Sequence, residues 1–363
     1  MSTQQKVSVS AAIKQSPPVD VSVPYSTTPL ANKHILITGG ASGFGAGFAA
    51  KWASVGASIV IADINEKKGT QVVADLRKQT NNERIFFVTC DVRDWKAQVR
   101  LFKEAVSLSP HGGIDIVVAN AGIAGTEPLQ DPTIDLSVDD PPAPDYRVLD
   151  VNLYGALYTA QLALWYLPRN PNSRPCSPDV EPSEFARDRH LLFIGSMASI
   201  GPIPTQILYG TSKHGVLGAF RTLRASSFVD GVRVNMLCPY FIETPIMDVP
   251  ARLILSGGAM GRVEDVVDAG TRLCADSRII GRALIVGPKV KVRQREDDGE
   301  WVVVKKDEPG EERAVWEAYA EDFEDCELFT KRIIGVLKGA AALKGWAGWA
   351  IDVVSAIKYG LFG

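Results

Sequence analysis

The sequence predicts an α/β protein: a doubly wound parallel sheet of the Rossmann type, forming a single domain with a C-terminal extension. Two observations carry that prediction. Short apolar or β-branched runs alternate with helical patterns from Lys33 to Pro288. The first run ends in glycines that lead straight into a helix, and the second closes on an acidic residue.

His34 to Thr38 reads as the first strand, and a helical pattern follows the glycines to about Val55. Ala57 to Ala62 is the next apolar run, closed by Asp63, so the segment forms one strand–turn–helix–strand unit. A helix from Asn65 to Gln79, a strand from Arg84 to Cys90 and a helix from Trp95 to Leu108 follow. Ile114 to Ala119 is apolar except for Asp115, as suits a sheet buried on both faces. Tyr146 to Tyr166 is helical. Residues 168–190 carry five prolines and mixed charge, which predicts a surface insertion. Then come a strand at Leu191 to Gly195, a long helix at Tyr209 to Phe228 and a strand at Arg233 to Leu237. A helix at Val263 to Asp276 and a last strand at Arg282 to Val286 close the domain, which spans residues 33–288.

The flanks differ in character. Residues 1–32 are rich in Ser, Gln and Val and read as a flexible lead-in without the basic start and apolar run of a secretory signal. A substrate-contacting arm is the alternative. In the extension, residues 289–363, Lys289 to Lys306 reads as a charged hairpin around Asp298 and Gly299. Glu308 to Glu327 reads as an acidic helix, and the remaining tail is apolar and basic. That tail is expected to be a helix packed on the body or on a second subunit. The alternative is an interfacial amphipathic helix that makes peripheral membrane contact and collects a lipid-like substrate. Glycines at 335, 339, 345 and 348 favour packing.

A formal net charge of −3 with no basic cluster argues against a nucleic-acid partner. The five cysteines are scattered, with no CxxC pair and no Cys/His cluster, so neither a metal site nor a disulfide framework is expected. That usage suits a reducing, cytoplasmic setting. No run approaches the ~20 apolar residues of a spanning helix.

The glycine turn reads TGGASGFG, from Thr38 through Gly39, Ser42, Gly43 and Phe44 to Gly45. Glycines let a backbone approach a pyrophosphate closely, and the helix that follows offers it unpaired N–H groups. Asp63, with Ile64 beside it, is placed to accept hydrogen bonds from the adenosine ribose and to repel a 2′-phosphate. NAD is therefore the expected cofactor, although Asp63 could instead cap the next helix. Asp91 and Val92 follow the third strand where an adenine edge would lie. Asn120, Ala121 and Gly122 end the fourth strand beside the cofactor. Asp91 is also a candidate helix cap.

Tyr209 and Lys213 lie four residues apart on one helix face. An ammonium beside a phenol lowers the phenol's pKa, so Tyr209 could exchange a proton with a substrate oxygen. Ser196 would hydrogen-bond the same oxygen, and Asn152 could hold a water that relays protons to Lys213. His214 reads as structural, and Arg221 and Arg224 as solvated helix charges.

These residues, in this order, resemble the short-chain dehydrogenase/reductase family in its single-domain branch. The match runs from about Lys33 to Pro288 through Thr38, Gly39, Gly43, Gly45, Asp63, Asp91, Asn120 to Gly122, Asn152, Ser196, Tyr209 and Lys213. The resemblance implies that Pro239, Ile242 and Thr244 contact the nicotinamide carboxamide. The run YGTSKHGVLGAFRTLR is most similar to members related to 15-hydroxyprostaglandin dehydrogenase and to fungal secondary-metabolism enzymes. It implies a dehydrogenase that oxidises a secondary alcohol on a bulky apolar molecule with NAD, such as a terpenoid or polyketide intermediate, and a homo-oligomer. A carbonyl reductase running in reverse, a catalytically idle NAD-binding regulator and a sugar-nucleotide epimerase are the rivals. Ile200, Ile203, Ile207, Leu208, Met247, Leu253 and Leu255 are expected to line the substrate pocket. The family pattern does not account for the insertion or for the extension.

Overall fold

A computed structural model describes residues 9–125, 129, 137, 139–140, 142–179, 187–244, 260–297, 299–319, 332–340, 342–343 and 345–346. Seven strands form its parallel sheet. They are β1 (His34–Thr38), β2 (Ser58–Asp63), β3 (Ile85–Thr89), β4 (Ile116–Ala119), β5 (His190–Ile194), β6 (Arg233–Pro239) and β7 (Ala283–Gln294), in the spatial order β3-β2-β1-β4-β5-β6-β7. The order reverses beside β1, so a crevice opens at the carboxyl ends of β1 and β4, the usual ligand position in such sheets.

Alternate residues of each strand enter opposite layers because the pleat has a period of two. Leu36 and Val60 join one core with α4 (Trp95–Leu108), α6 (Ala156–Tyr166) and α7 (Ile207–Leu223). Ile35, Ile37, Ile59 and Ile61 join the other with α2 (Gly43–Ser54), α3 (Glu66–Thr80) and α8 (Val263–Ala275). In that second layer Phe48 stacks on Trp52 at 4.9 Å, and Trp52 donates its indole N–H to Thr271. The chain before α6 begins as a short turn, α5 (Arg147–Leu149), and widens to a π-helix over Asp150–Gly155.

The amino ends of the strands hold buried charges. Asp188, in the expected surface insertion, is inaccessible and pairs with both Lys33 and Arg233. The carbonyls of Leu273 and Cys274, at the end of α8, also accept from Arg233, where the helix dipole favours cations. Burial would raise the Asp188 carboxyl, but Arg233 and Lys33 outweigh it and hold it far below the usual carboxylate range. Removing that carboxylate would strand two buried cations, at a cost of roughly 3–5 kcal/mol. Asp115 sits in the same polar end and accepts from His34 N, His111 and Asn170. The insertion is thus no mere decoration at its base: Asn170, Cys176 and Asp188 are buried.

The flanks depart from expectation in three places. Residues 9–32 are tied down rather than loose: Ile13 and Leu30 are buried, and Arg272 donates to the carbonyls of Asp20, Val21 and Val23. Glu311–Ala318, expected as helix, is strand β9, antiparallel to β7 in the register Ala283↔Ala318 to Val292↔Glu311. Its Glu, Arg and Ala are good helix formers, but an open sheet edge offers partners for every other backbone group. The expected hairpin is present as β8 (Trp301–Val303), which pairs antiparallel with Val292–Gln294; Asp298 and residues 320–327 lie outside the described residues. Arg221 and Arg224, expected in solvent, engage this extension. Arg221 stacks 4.7 Å over Tyr319, and the buried Arg224 donates to the carbonyls of Gly281 and Tyr319.

The tail contains a helix at residues 332–340, whose Ile334 and Leu337 pack with Ala12, Ile13 and Phe228. Phe228 lies just past the end of α7, whereas Tyr209 lies near its start. About 20 Å of helix separates the two ends, so this helix is remote from the carboxyl end of the sheet. Among the described residues no helix is long and apolar enough to cross a membrane.

Candidate active site

The glycine turn takes its shape from backbone needs. Gly39 has φ +65°, and a Cβ there would stand 2.7 Å from Ala121 Cα. Gly45 passes so close to Gly39 that a Cβ would lie 2.4 Å from its carbonyl oxygen. The Asn120 amide donates to the carbonyls of Thr38 and Gly39 at 2.8 and 3.0 Å, locking this turn to the end of β4. The Thr38 hydroxyl donates to Val118 O and accepts from Asn120 N. Thr38 and Asn120 therefore brace the cradle through their side chains.

Gly43, at φ +52°, opens α2 and faces the Thr244 side chain, whose Cβ would stand 3.9 Å from an added Cβ. Ser42 is the N-cap but makes no side-chain cap bond, so its hydroxyl does not cover the first-turn N–H groups. Phe44 is partly buried behind it. A diphosphate fits such an uncovered helix start. Asp63 turns toward the same cradle, accepting from Ala41 N at 3.1 Å and Asn65 N at 3.0 Å. The cap of α3 is Asn65, which accepts from Lys68 N, so the capping alternative for Asp63 falls away. Ile64, 65% exposed beside it, presents an open apolar surface.

Asp91 is held by its neighbour Arg93, whose backbone and guanidinium donate to both carboxylate oxygens at 2.7–3.1 Å. The Arg93 hydrogen bonds hold the Asp91 carboxyl below its ordinary value. The pair lines an open cleft of about 520 Å³ with Asp150, Tyr154 and Tyr158. Asp94, not Asp91, caps α4. Val92 is buried and gives its carbonyl to Gln98. Ile242 is likewise buried, bridged to Gly261, while Pro239 ends β6.

The expected acid–base set does converge. Ser196 follows β5 and caps a 3₁₀ turn, Met197–Ser199, in a capping box with Ser199. Its hydroxyl lies near enough to the Tyr209 phenol to favour the phenolate. Lys213 is 4% exposed, donates to Ile194 O at 3.1 Å and lies 5.7 Å from the Tyr209 ring centroid. A Cβ on Gly122 would stand 3.3 Å from Asn152 Oδ1 and 3.7 Å from Lys213 Nζ, so the β4 turn lies against this pair.

Two expectations change here. Burial raises the Tyr209 phenol, against the Ser196 hydrogen bond, instead of Lys213 lowering it. A crowded site penalises the phenolate more than a lysine at this distance favours it. Burial also pushes Lys213 down to about 8, opposed by nearby Cys238. The Asn152 amide, expected to hold a water, spends both ends on Ile123: Oδ1 accepts from its N at 2.8 Å and Nδ2 donates to its O at 2.9 Å. Its amide also reaches Ser212 Oγ at 3.4 Å, and Ser212 donates to Tyr209 O. Ser199, Ser212 and Cys238 are thus parts of the site that sequence reasoning missed; only the serine spacing of GSMAS hinted at the capping box.

Of the expected pocket lining, Ile203 and Ile207 border a shallow apolar cleft of about 440 Å³ with Gly210 and His214. Ile207 and Tyr209, two residues apart, point to opposite sides of α7. His214 is exposed and bonded to Gly210 O, Leu208 is buried and Ile200 packs against a core. Met247, Leu253 and Leu255 lie outside the described residues.

The comparisons agree with this geometry. A family model described as enoyl-(acyl carrier protein) reductase matches residues 39–276. The chain belongs to the short-chain dehydrogenase/reductase family. It is 33% identical over 276 residues to 5′-hydroxyaverantin dehydrogenase of Dothistroma septosporum, covering 72% of this chain and 86% of that one. An NADP-dependent dehydrogenase M3 of a Phoma species is 32% identical, covering 70% and 74%. The NAD(+) 15-hydroxyprostaglandin dehydrogenase of Mus musculus is 28% identical, covering 60% and 70%. Among solved structures, 3-ketoacyl-(acyl-carrier-protein) reductase from Brucella melitensis, complexed with NADH, is similar at TM-score 0.57 and 25% identity, over 71% of this chain and 98% of that one. The protein is an oxidoreductase of this family, with relatives named as dehydrogenases of 5′-hydroxyaverantin and of 15-hydroxyprostaglandin.

Proposed function

We propose that this protein is an NAD-dependent dehydrogenase that oxidises a secondary alcohol to a ketone on a bulky apolar small molecule, a terpenoid or polyketide intermediate of secondary metabolism. The observation that carries the reading is the convergence of Ser196 and Tyr209, with Lys213 one helical turn away, beside the glycine turn. Held by its diphosphate at that turn, NAD would supply the hydride acceptor for the carbinol carbon. Ser196 orients the substrate hydroxyl, and Tyr209 receives its proton. Lys213 holds positive charge beside the phenolate that takes this proton. The start of α2 receives the diphosphate, Asp63 the adenosine ribose, and Ile64 one face of the adenine. Pro239 and Thr244 flank the nicotinamide end, as the family resemblance implies. Asn152 supports the site by pinning Ile123.

Asp63 supports NAD over NADP, since a carboxylate repels a 2′-phosphate. The 5′-hydroxyaverantin and 15-hydroxyprostaglandin relatives support a secondary-alcohol substrate. We also read the protein as a cytoplasmic homo-oligomer. Exposed Tyr154, in the π-helix, and Leu157 and Trp165 along α6 support the assembly, and buried free cysteines support a reducing compartment.

A second reading, reduction of the ketone, has one observation in its favour: the raised Tyr209 pKa keeps the phenol protonated and ready to donate. Incubation with NAD or NADP and a panel of apolar secondary alcohols, following the absorbance of reduced nicotinamide, tests both. Turnover with NAD that Tyr209→Phe abolishes is expected. Turnover only of ketones with NADPH would reverse the assignment.

A further inference from the structure

The tail helix at residues 332–340 has two unlike sides. On one, Ile334 is 4% exposed against Ile13 and Phe228. On the other, Val336 is 66% exposed, and Leu343 and Trp346, also helical, are 69% and 66% exposed. A helix that only covered the body would turn polar side chains to water. Glycine spacing does not change this picture: a Cβ on Gly335, Gly339 or Gly345 would meet nothing within 4 Å, so no close helix packing requires these glycines.

The charge here has one sign. Residues 328–351 contain Lys331, Arg332, Lys338 and Lys344 and no acid. Arg332, one turn before Val336, is exposed on the same side, and Lys338 is exposed one turn after Ile334. A second copy docking face to face would bring these like charges together, which disfavours self-association. An anionic lipid surface offers both complements, apolar depth and negative headgroups.

We propose that the outward side of this helix docks on an anionic lipid surface. Val336, Leu343 and Trp346 enter the interface, and Arg332 and Lys338 meet the headgroups. Because the helix rests against Phe228, at the far end of α7 from Tyr209, the lipid tethers the protein with its catalytic end turned away. The expected delivery of a lipid-like substrate into the site does not fit this placement; tethering does.

The test is co-sedimentation of the full chain with phosphatidylcholine vesicles, with and without phosphatidylserine. Wild type should pellet with the phosphatidylserine vesicles and be released as salt rises. Arg332→Glu/Lys338→Glu should weaken that binding by roughly fivefold or more per charge. Val336→Asp/Leu343→Asp should weaken it roughly tenfold or more. All four positions are exposed, so the fold and its thermal melt should be unchanged. Equal pelleting of wild type and both variants, or no pelleting of wild type, overturns the proposal. So does a dimer in sedimentation velocity that the Asp variants dissociate while vesicles bind nothing, which would assign the surface to a second copy. The readout needs no turnover and is independent of the proposed reaction.

Discussion

Lys213 lies one helical turn beyond Tyr209, with its ammonium 5.7 Å from the ring centroid and tied to Ile194 O. Burial pushes that ammonium down to about 8. Folding therefore works against its charge, as is common where a site is arranged for chemistry rather than stability.

Lys213→Met should lower turnover roughly 10²–10⁴-fold and yet raise the melting temperature at neutral pH. The sign follows from linkage. Below about pH 8 folded and unfolded chains both hold the proton, and the buried ammonium penalises the fold. From about 8 to the ordinary 10.5 only the unfolded chain holds it, so wild-type stability gains with rising pH. Thermal melts on either side of pH 8 should show that gain in wild type and its absence in the variant. A lower melting temperature for Lys213→Met at neutral pH would contradict this account.

Asp63→Ser should shift cofactor preference. The variant loses the carboxylate that faces the glycine turn through Ala41 N. NAD affinity should fall by about tenfold, or ~1.4 kcal/mol, while NADP affinity rises as the repulsion is removed. Titration of each dinucleotide by protein fluorescence measures the ratio, and an unchanged ratio would remove Asp63 from cofactor selection.

Acid should unfold the protein through buried histidines. Burial pushes His34 down to about 4, against the Ala105 carbonyl and Asp115, and pushes His190 well below its ordinary value. Unfolded, each binds a proton near 6.5. Stability is therefore whole above about 6.5 and falls as pH drops, with His34 alone accounting for about 3 kcal/mol by pH 4. Denaturant melts between pH 7 and pH 4 should show that slope, and His34→Gln should flatten it. A His34→Gln variant that keeps the full slope would place the effect elsewhere.

The alternation of strands and helices, the glycine turn, the acid after β2 and the Tyr209–Lys213 spacing were all legible in the chain. Each is a local property: a side-chain period, a required positive φ at Gly39 and Gly43, or two residues on one helix face. Partners distant in the chain were not legible. Nothing near Glu311–Ala318 announces that it will pair with β7, and helix formers there mislead. Nothing near Asp188 announces Lys33 and Arg233, 155 and 45 residues away. Thr38 and Asn152 were found as site residues, but whether their polar atoms face a ligand or the backbone depends on Val118 and Ile123. By itself the sequence determined the sheet, the cradle and which side chains, Ser196, Tyr209 and Lys213, were candidates beside it. Only the tertiary structure decided the edge strand, the buried ion triad and the direction in which Tyr209 and Lys213 titrate. Pairing and desolvation depend on what the rest of the chain brings alongside.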